Sequence, residues 1–126
     1  SWWYPDSGAT HHLTNDFSNL SLAGDFHGSE TIQMANGAGM KIAHLGKSYI
    51  ESAHKPNHLF YLNNLFHVPQ ITKNLLSVSQ FAKDNKVFFE FYPLSCFVKD
   101  QATKEVLLEG NLKNGLYTFS SSEARV

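Results

Sequence analysis

Between Ser29 and Leu45 the chain alternates, stops on a glycine-rich tip, and alternates again. Glu30, Ile32 and Met34 share one side of an extended Ser29–Ala35 segment, with Thr31 and Gln33 on the other. After Asn36-Gly-Ala-Gly39 the period of two resumes over Met40–Leu45. Such a period places successive side chains on opposite faces of a strand, and Asn-Gly supplies the positive φ of a tight hairpin turn. A second glycine two residues on lets the tip approach a ligand closely. Taken alone, the stretch fits an ordinary exposed hairpin equally well.

The rest of the chain repeats the theme. Gly46–Ile50, His58–Leu62 and Leu65–Val68 read as short strands, the last stopped by Pro69. Asn74–Lys83 breaks the pattern: Leu75, Leu76, Val78 and Phe81 fall at helical spacing, Asn74 is the expected N-cap, and Asp84-Asn85 ends the turn. Val87–Tyr92, Cys96–Lys99, Val106–Glu109 and Leu116–Phe119 return to strands, with turns at Pro93, Asp100–Thr103 and Lys113-Asn-Gly115. The expectation is a mainly β fold, barrel or sandwich, with one short helix.

At 126 residues and 42% hydrophobic, with ten phenylalanines, the chain is one globular domain in expectation. A net charge of -1 without a basic run argues against nucleic acid or a membrane surface as partner. No apolar run nears the length of a spanning helix, and no signal-peptide pattern opens the chain. Both ends read as cut from a longer polypeptide. The single Cys96 excludes an internal disulfide, fits a reducing compartment, and sits in an apolar stretch suited to an inert thiol. Seven histidines show no metal-ligand spacing, since Pro56-Asn57 interrupts His54 and His58 and adjacent His11 and His12 face opposite ways. No metal or other cofactor is expected. Neither a Gly-x-Ser-x-Gly elbow nor a phosphate loop is present.

Trp2–Thr14, WWYPDSGATHHLT, carries the sharpest chemistry. In Asp6-Ser7-Gly8-Ala9 the aspartate sits where a tight loop would expose it, a small hydroxyl follows, and a glycine N–H can hold a carboxylate oxygen. Two such carboxylates in contact cannot both ionise, so one keeps its proton and the pair titrates as a unit; the carboxylate pair of aspartic proteases is the standard example. The ionised member acts as base on a water and the protonated one polarises a carbonyl. As a tetrapeptide the motif equally describes an Asx-turn after Pro5.

Taken in order, three motifs resemble the retropepsin-like aspartic proteases, specifically the protease region of Copia-type LTR retrotransposon Gag-Pol polyproteins. Trp3–Thr14 resembles the signature around the catalytic aspartate, Ile32–Ala43 the glycine-tipped flap, and Leu65–Phe81 the strand and Asn-Leu-Leu that lead into the C-terminal helix. The resemblance implies a retropepsin-like (acid protease) β barrel with a flap hairpin and one short C-terminal helix, followed by extra strands. It implies a protease core over 1–92 and a C-terminal β extension over 93–126, packed on or continuing the same domain. Asp6 would be catalytic, with Ser7, Gly8, Ala9 and Thr10 supporting its loop. Met34, Ala35, Asn36, Gly37, Ala38, Gly39 and Met40 would form the substrate-binding flap.

Asp16, Asp25, Asp84 and Asp100 lack a following Ser/Thr-Gly, so a catalytic Asp6 needs Asp6 of a second copy in a two-fold homodimer. Retroviral proteases carry a longer segment, including a strand that interleaves the dimer, before the catalytic loop; only Ser1–Pro5 precede Asp6 here. The function implied is an aspartic endopeptidase that processes its own polyprotein, cytoplasmic, in a virus-like particle. Two alternatives stay open: a domesticated or truncated, non-enzymatic retropepsin-fold binding or assembly module, and an unrelated small β-barrel binding domain.

Overall fold

A computed structural model of the chain describes residues 2–33, 37–120 and 124–125. Its strands in chain order are β1 (Trp2–Asp6), β2 (His12–Thr14), β3 (Leu22–Asp25), β4 (Thr31–Gln33), β5 (Gly39–Lys41), β6 (His44–Glu51), β7 (Leu59–His67) and β8 (Asn74–Ser77). Helix α1 (Val78–Asn85) follows, then β9 (Val87–Phe91), β10 (Ser95–Asp100), β11 (Val106–Lys113), β12 (Leu116–Ser120) and β13 (Ala124–Arg125). A single 3-10 turn, Phe17–Asn19, links β2 to β3.

Eleven strands form one sheet in the order β13-β6-β7-β2-β8-β1-β12-β11-β10-β9, with β3 also paired to β6; β4 and β5 form a separate hairpin. The fold is mainly β with one short helix. The path is open: among the described residues no ladder joins β9 back to β6 or β3, so main-chain pairing does not close the sheet on itself. Instead, the sheet curls until its two halves share side chains. Ser52 Oγ, just past β6, donates to the Leu107 carbonyl of β11, a side-chain bond in place of a ladder. Trp3, Phe60, Leu76, Phe81, Leu107 and Phe119 belong to one buried cluster, so residues on both sides of position 92 share a core. Each such side chain contributes about 1.5–3 kcal/mol by leaving water. A smaller cluster of Leu13, Ile42, Phe66, Val68 and Ile71 lies apart from it.

The segment read as one helix over Asn74–Lys83 is a strand and then a helix. Leu76 enters the large cluster while Leu75 packs against the small one, a period of two that β8 requires because it runs between β1 and β2. Asn74 caps nothing. Ser77 is the N-cap, its Oγ accepting from the Gln80 N–H at 3.2 Å, and Lys86 closes the helix in the left-handed region at φ 54°. Likewise, the two strands expected at His58–Leu62 and Leu65–Val68 are one. The β6–β7 register shifts between Gly46/Leu65 and Ser48/Leu62, and Asn64 takes φ 56°, so a bulge carries the strand through its polar Asn63-Asn64 step.

β1, β2 and β3 are strands that the sequence pattern did not announce. Pro5 is tolerated in β1 because the β1–β12 register runs only through Trp2↔Ser120 and Trp3↔Phe119. The C-terminal strands match their expected positions closely. Their last turn, Asn114-Gly115, has φ of 51° and 80°, the positive pair that a two-residue hairpin prefers.

Candidate functional site

Asp6 ends β1 where the chain turns away from the sheet. β1 runs parallel to β8 with Asp6 opposite Ser77, and β2 returns antiparallel on the other side of β8 through Leu13↔Leu75. The loop from Ser7 to His11 therefore arches over the junction between β8 and α1. Ser77 fixes that arch from below: its Oγ donates to the Ala9 carbonyl at 2.7 Å, and its N–H donates to His12 Nδ1 at 3.0 Å. At the other end of β8, Asn74 Nδ2 donates to the Trp2 carbonyl at 3.1 Å, while Thr14 Oγ1 donates to Asn74 Oδ1 at 2.7 Å and accepts from Asn19 Nδ2 at 2.9 Å. Both strands that carry the loop are thus pinned to β8 by buried polar side chains, which are strongly directional when satisfied.

Within the loop, the Gly8 N–H donates to Asp6 Oδ1 at 2.8 Å and the Ala9 N–H to the Asp6 carbonyl at 3.3 Å. Thr10 Oγ1 is 3.0 Å from His11 Nδ1. Ser7 is exposed, and among the described residues its hydroxyl makes no hydrogen bond to Asp6. A Cβ added at Gly8 would meet Asp6 Oδ1 at 3.4 Å, an ordinary contact, so a single chain does not by itself demand glycine there.

A cleft of about 620 Å³ opens beside Asp6. Gly8–His11 form one side and Glu30–Gln33 the other, and Leu13, Ile42, Phe66 and Ile71 of the small cluster form an apolar floor. The hairpin and the aspartate loop, more than twenty residues apart in sequence, thus face one space. Of the described hairpin residues it is the β4 leg that lines this space, rather than the Gly37–Gly39 tip or Met40. Gly37 has φ 85°, as the turn requires, while Met34, Ala35 and Asn36 lie outside the described residues. Lys73 and His11 also border the cleft, and no motif or spacing in the sequence marks either for it. His11 is held with its ring centroid 4.6 Å from that of Phe66. A second depression of about 400 Å³, lined by Tyr4, Leu116 and Tyr117, also reaches Asp6 and Lys73.

His12 is the site's most perturbed group. It is fully buried, and desolvation pushes its pKa down to about 4, with Asp84 opposing the shift and His11 adding to it. A neutral ring that accepts at Nδ1 carries its proton on Nε2, which has no partner among the described residues; nor does the Trp3 indole N–H. Burial pushes the Cys96 thiol up to about 11, which suits an inert core residue. Among the described residues no group of three His, Cys, Asp or Glu side chains is placed to hold a metal ion, and no helix is long and apolar enough to cross a membrane.

Residues 3–87, which include the whole aspartate loop, the hairpin and α1, match the family model described as the Pol polyprotein, beta-barrel domain. The chain belongs to that family. It is 42% identical over 117 residues to the Retrovirus-related Pol polyprotein from transposon RE1 of Arabidopsis thaliana, covering 93% of the chain and 8% of the relative. It is 40% identical over 124 residues to the corresponding polyprotein from transposon RE2 of the same plant, covering 97% of the chain and 8% of the relative. The domain is therefore homologous to a small part of retrotransposon Pol polyproteins. Those alignments reach past residue 87 into the C-terminal strands, which the family model leaves out. No solved structure matches significantly.

Proposed function

We propose that this domain is the aspartic endopeptidase of a Copia-type Pol polyprotein, acting as a homodimer that cleaves its own polyprotein in the cytoplasm, within a virus-like particle. The observation that carries the reading is the shared cleft: the Asp6 loop and the β4–β5 hairpin, the first two motifs of the resemblance, line the same space, and the third motif fixes the loop from below. Two copies would bring their Asp6 carboxylates together on a two-fold axis. One carboxylate would take a proton from a water as the other, protonated, polarises the scissile carbonyl. Ser7, Gly8, Ala9 and Thr10 would hold the loop. The hairpin, tipped by Gly37, Ala38 and Gly39, would cover an extended peptide bound by main-chain hydrogen bonds. On this reading, 1–92 is the protease core and 93–126 its C-terminal extension.

A second reading, a non-enzymatic binding or assembly module, is favoured by the family description, which names a β-barrel domain rather than a protease. Expression of the polyprotein with Asp6 or with Asp6→Asn separates the two at mildly acidic pH. The peptidase reading expects processing by the first and none by the second, with inhibition by a pepstatin-like statine hydroxyl. Equal processing by both excludes it, and a proven dimer inactive in both forms favours the module.

A further inference from the structure

Asp25, His44 and His67 form one row across three neighbouring strands. Asp25 opposes His44 in the β3–β6 ladder, and His44 opposes His67 in the β6–β7 ladder. The imidazoles approach Nδ1 to Nδ1 at 2.8 Å. Their planes differ by 19° and their centroids lie 5.1 Å apart, so the nitrogens are much closer than the ring centres. The rings therefore meet along their nitrogen edges, as an in-plane N–H···N bond requires, rather than face to face. On the far edge of His44, Nε2 is 3.5 Å from Asp25 Oδ1. Phe17 rests against both rings, with centroids at 4.6 and 5.7 Å.

The row sits at a mechanically important place. The segment 26–43, which contains the β4–β5 hairpin, leaves the sheet after Asp25 and returns at His44. Its root is closed by the Phe26 N–H donating to the Ala43 carbonyl at 3.2 Å and the Ala43 N–H donating to the His67 carbonyl at 2.8 Å. The imidazole pair thus stands where both legs of this segment leave the sheet.

Counting protons gives the behaviour. The neutral pair holds one N–H between its nitrogens, one ring donating and the other accepting. One added proton leaves that bond intact and charge-assisted, and on His44 it also turns Nε2–H toward Asp25. A second added proton leaves two Nδ1–H donors facing each other with two positive charges, and the bond cannot survive. The charged groups facing the pair come from elements beyond β6 and β7: Asp25 from β3 and Asp16 from the turn ahead of Phe17. Burial and then the charge of His44 hold His67 below the usual histidine range, against a backbone hydrogen bond to Asn15 and the charge of Asp16, which favour its protonated ring.

We propose that the Asp25–His44–His67 row is a proton-operated latch at the root of the hairpin, closed with no added proton or one and open with two. It stands on ladder register and ring geometry and not on Asp6, so a chain without peptidase activity would still carry it.

The test is a titration of the full chain from about pH 8 to about pH 4.5, following imidazole nitrogen shifts and amide-exchange protection. Expected is a coupled two-step titration of both rings, with protection in Phe26–Gln33 and Gly39–Ala43 falling about tenfold or more across the second step while β9–β12 stays protected. His44→Gln should abolish that fall. Asp25→Asn, at an exposed position, should move the second step to lower pH and reduce hairpin opening at the wild-type midpoint about twofold, which keeps the test available if His44→Gln does not fold. Independent one-site titration of the two rings, loss of protection in the hairpin and β9–β12 together, or an unchanged fall in folded His44→Gln would each overturn the latch.

Discussion

The strands β9 to β12 and the strands β1 and β2 reach stability by opposite routes. In the first group each strand pairs with its neighbour in sequence, and Cys96, Val98, Leu107, Leu108 and Phe119 face the large cluster. In the second, β1 finds its partners far away, at Asn74–Ser77 and at Phe119–Ser120, and β2 finds them at Leu65–His67 and Leu75. The meander is held by local ladders and apolar contacts. The aspartate loop is held by polar side chains, His12, Thr14, Asn74 and Ser77, whose bonds join parts of the chain 60 to 72 residues apart. Such contacts cost loop-closure entropy before they return anything, but they fix position closely. On the proposed peptidase reading, a loop that presents one carboxylate on a two-fold axis would need the second property more than the first.

Trp3 joins the two regions, and removing it should have the largest effect. Trp3→Ala is expected to cost about 3–5 kcal/mol in urea unfolding, with both regions lost in one transition. A meander that stays folded after the N-terminal strands melt would instead make the regions separate units.

Acid should act on the loop's side of the comparison. His12 titrates near 4 in the fold against an ordinary 6.5, so between those values the unfolded chain binds more protons than the native one. Its neutral burial therefore contributes full stability above about pH 6.5, which is lost progressively as pH falls toward 4, about 3 kcal/mol in all. Urea midpoints across that window should show the slope, and His12→Gln should reduce it, leaving the contribution of His67, whose pKa is also held down. A wild-type midpoint independent of pH would contradict the assignment of a buried neutral ring.

Asn74→Ala leaves Thr14 and the Trp2 carbonyl without their partner and should cost about 1–3 kcal/mol. Ser77→Ala removes both the helix cap and the tie to Ala9, for about 1–2 kcal/mol by calorimetry. Its more telling consequence is faster amide exchange at Gly8 and Ala9 with β9–β12 unchanged.

The same contrast explains what the sequence made legible. The meander could be read because its period of two and its Asn114-Gly115 turn are local signals. The hairpin could be read for the same reason, from Asn36-Gly37. β1 carried no such signal, since Pro5 and Asp6 look like a loop until β8 is seen beside them. The Asn74–Ser77 strand was hidden because Leu75 and Leu76 fit helical spacing as well as alternation, and only the slot between β1 and β2 decides. In the site, Asp6 and its glycine were visible as a motif. Ser77, Asn74 and His12 were not, because their role is a set of long-range hydrogen bonds that no spacing encodes.

In the proposed peptidase, one active site would use Asp6 from each of two chains. Mixing wild-type and Asp6→Asn protein in equal amounts, under conditions that let dimers exchange, and measuring peptide cleavage tests it directly. If both carboxylates are required, activity should fall to about a quarter of that of the same total amount of wild-type protein, because only homodimers of wild-type chains remain competent. A fall to only about a half would mean that each chain acts through its own Asp6, and would contradict the shared site.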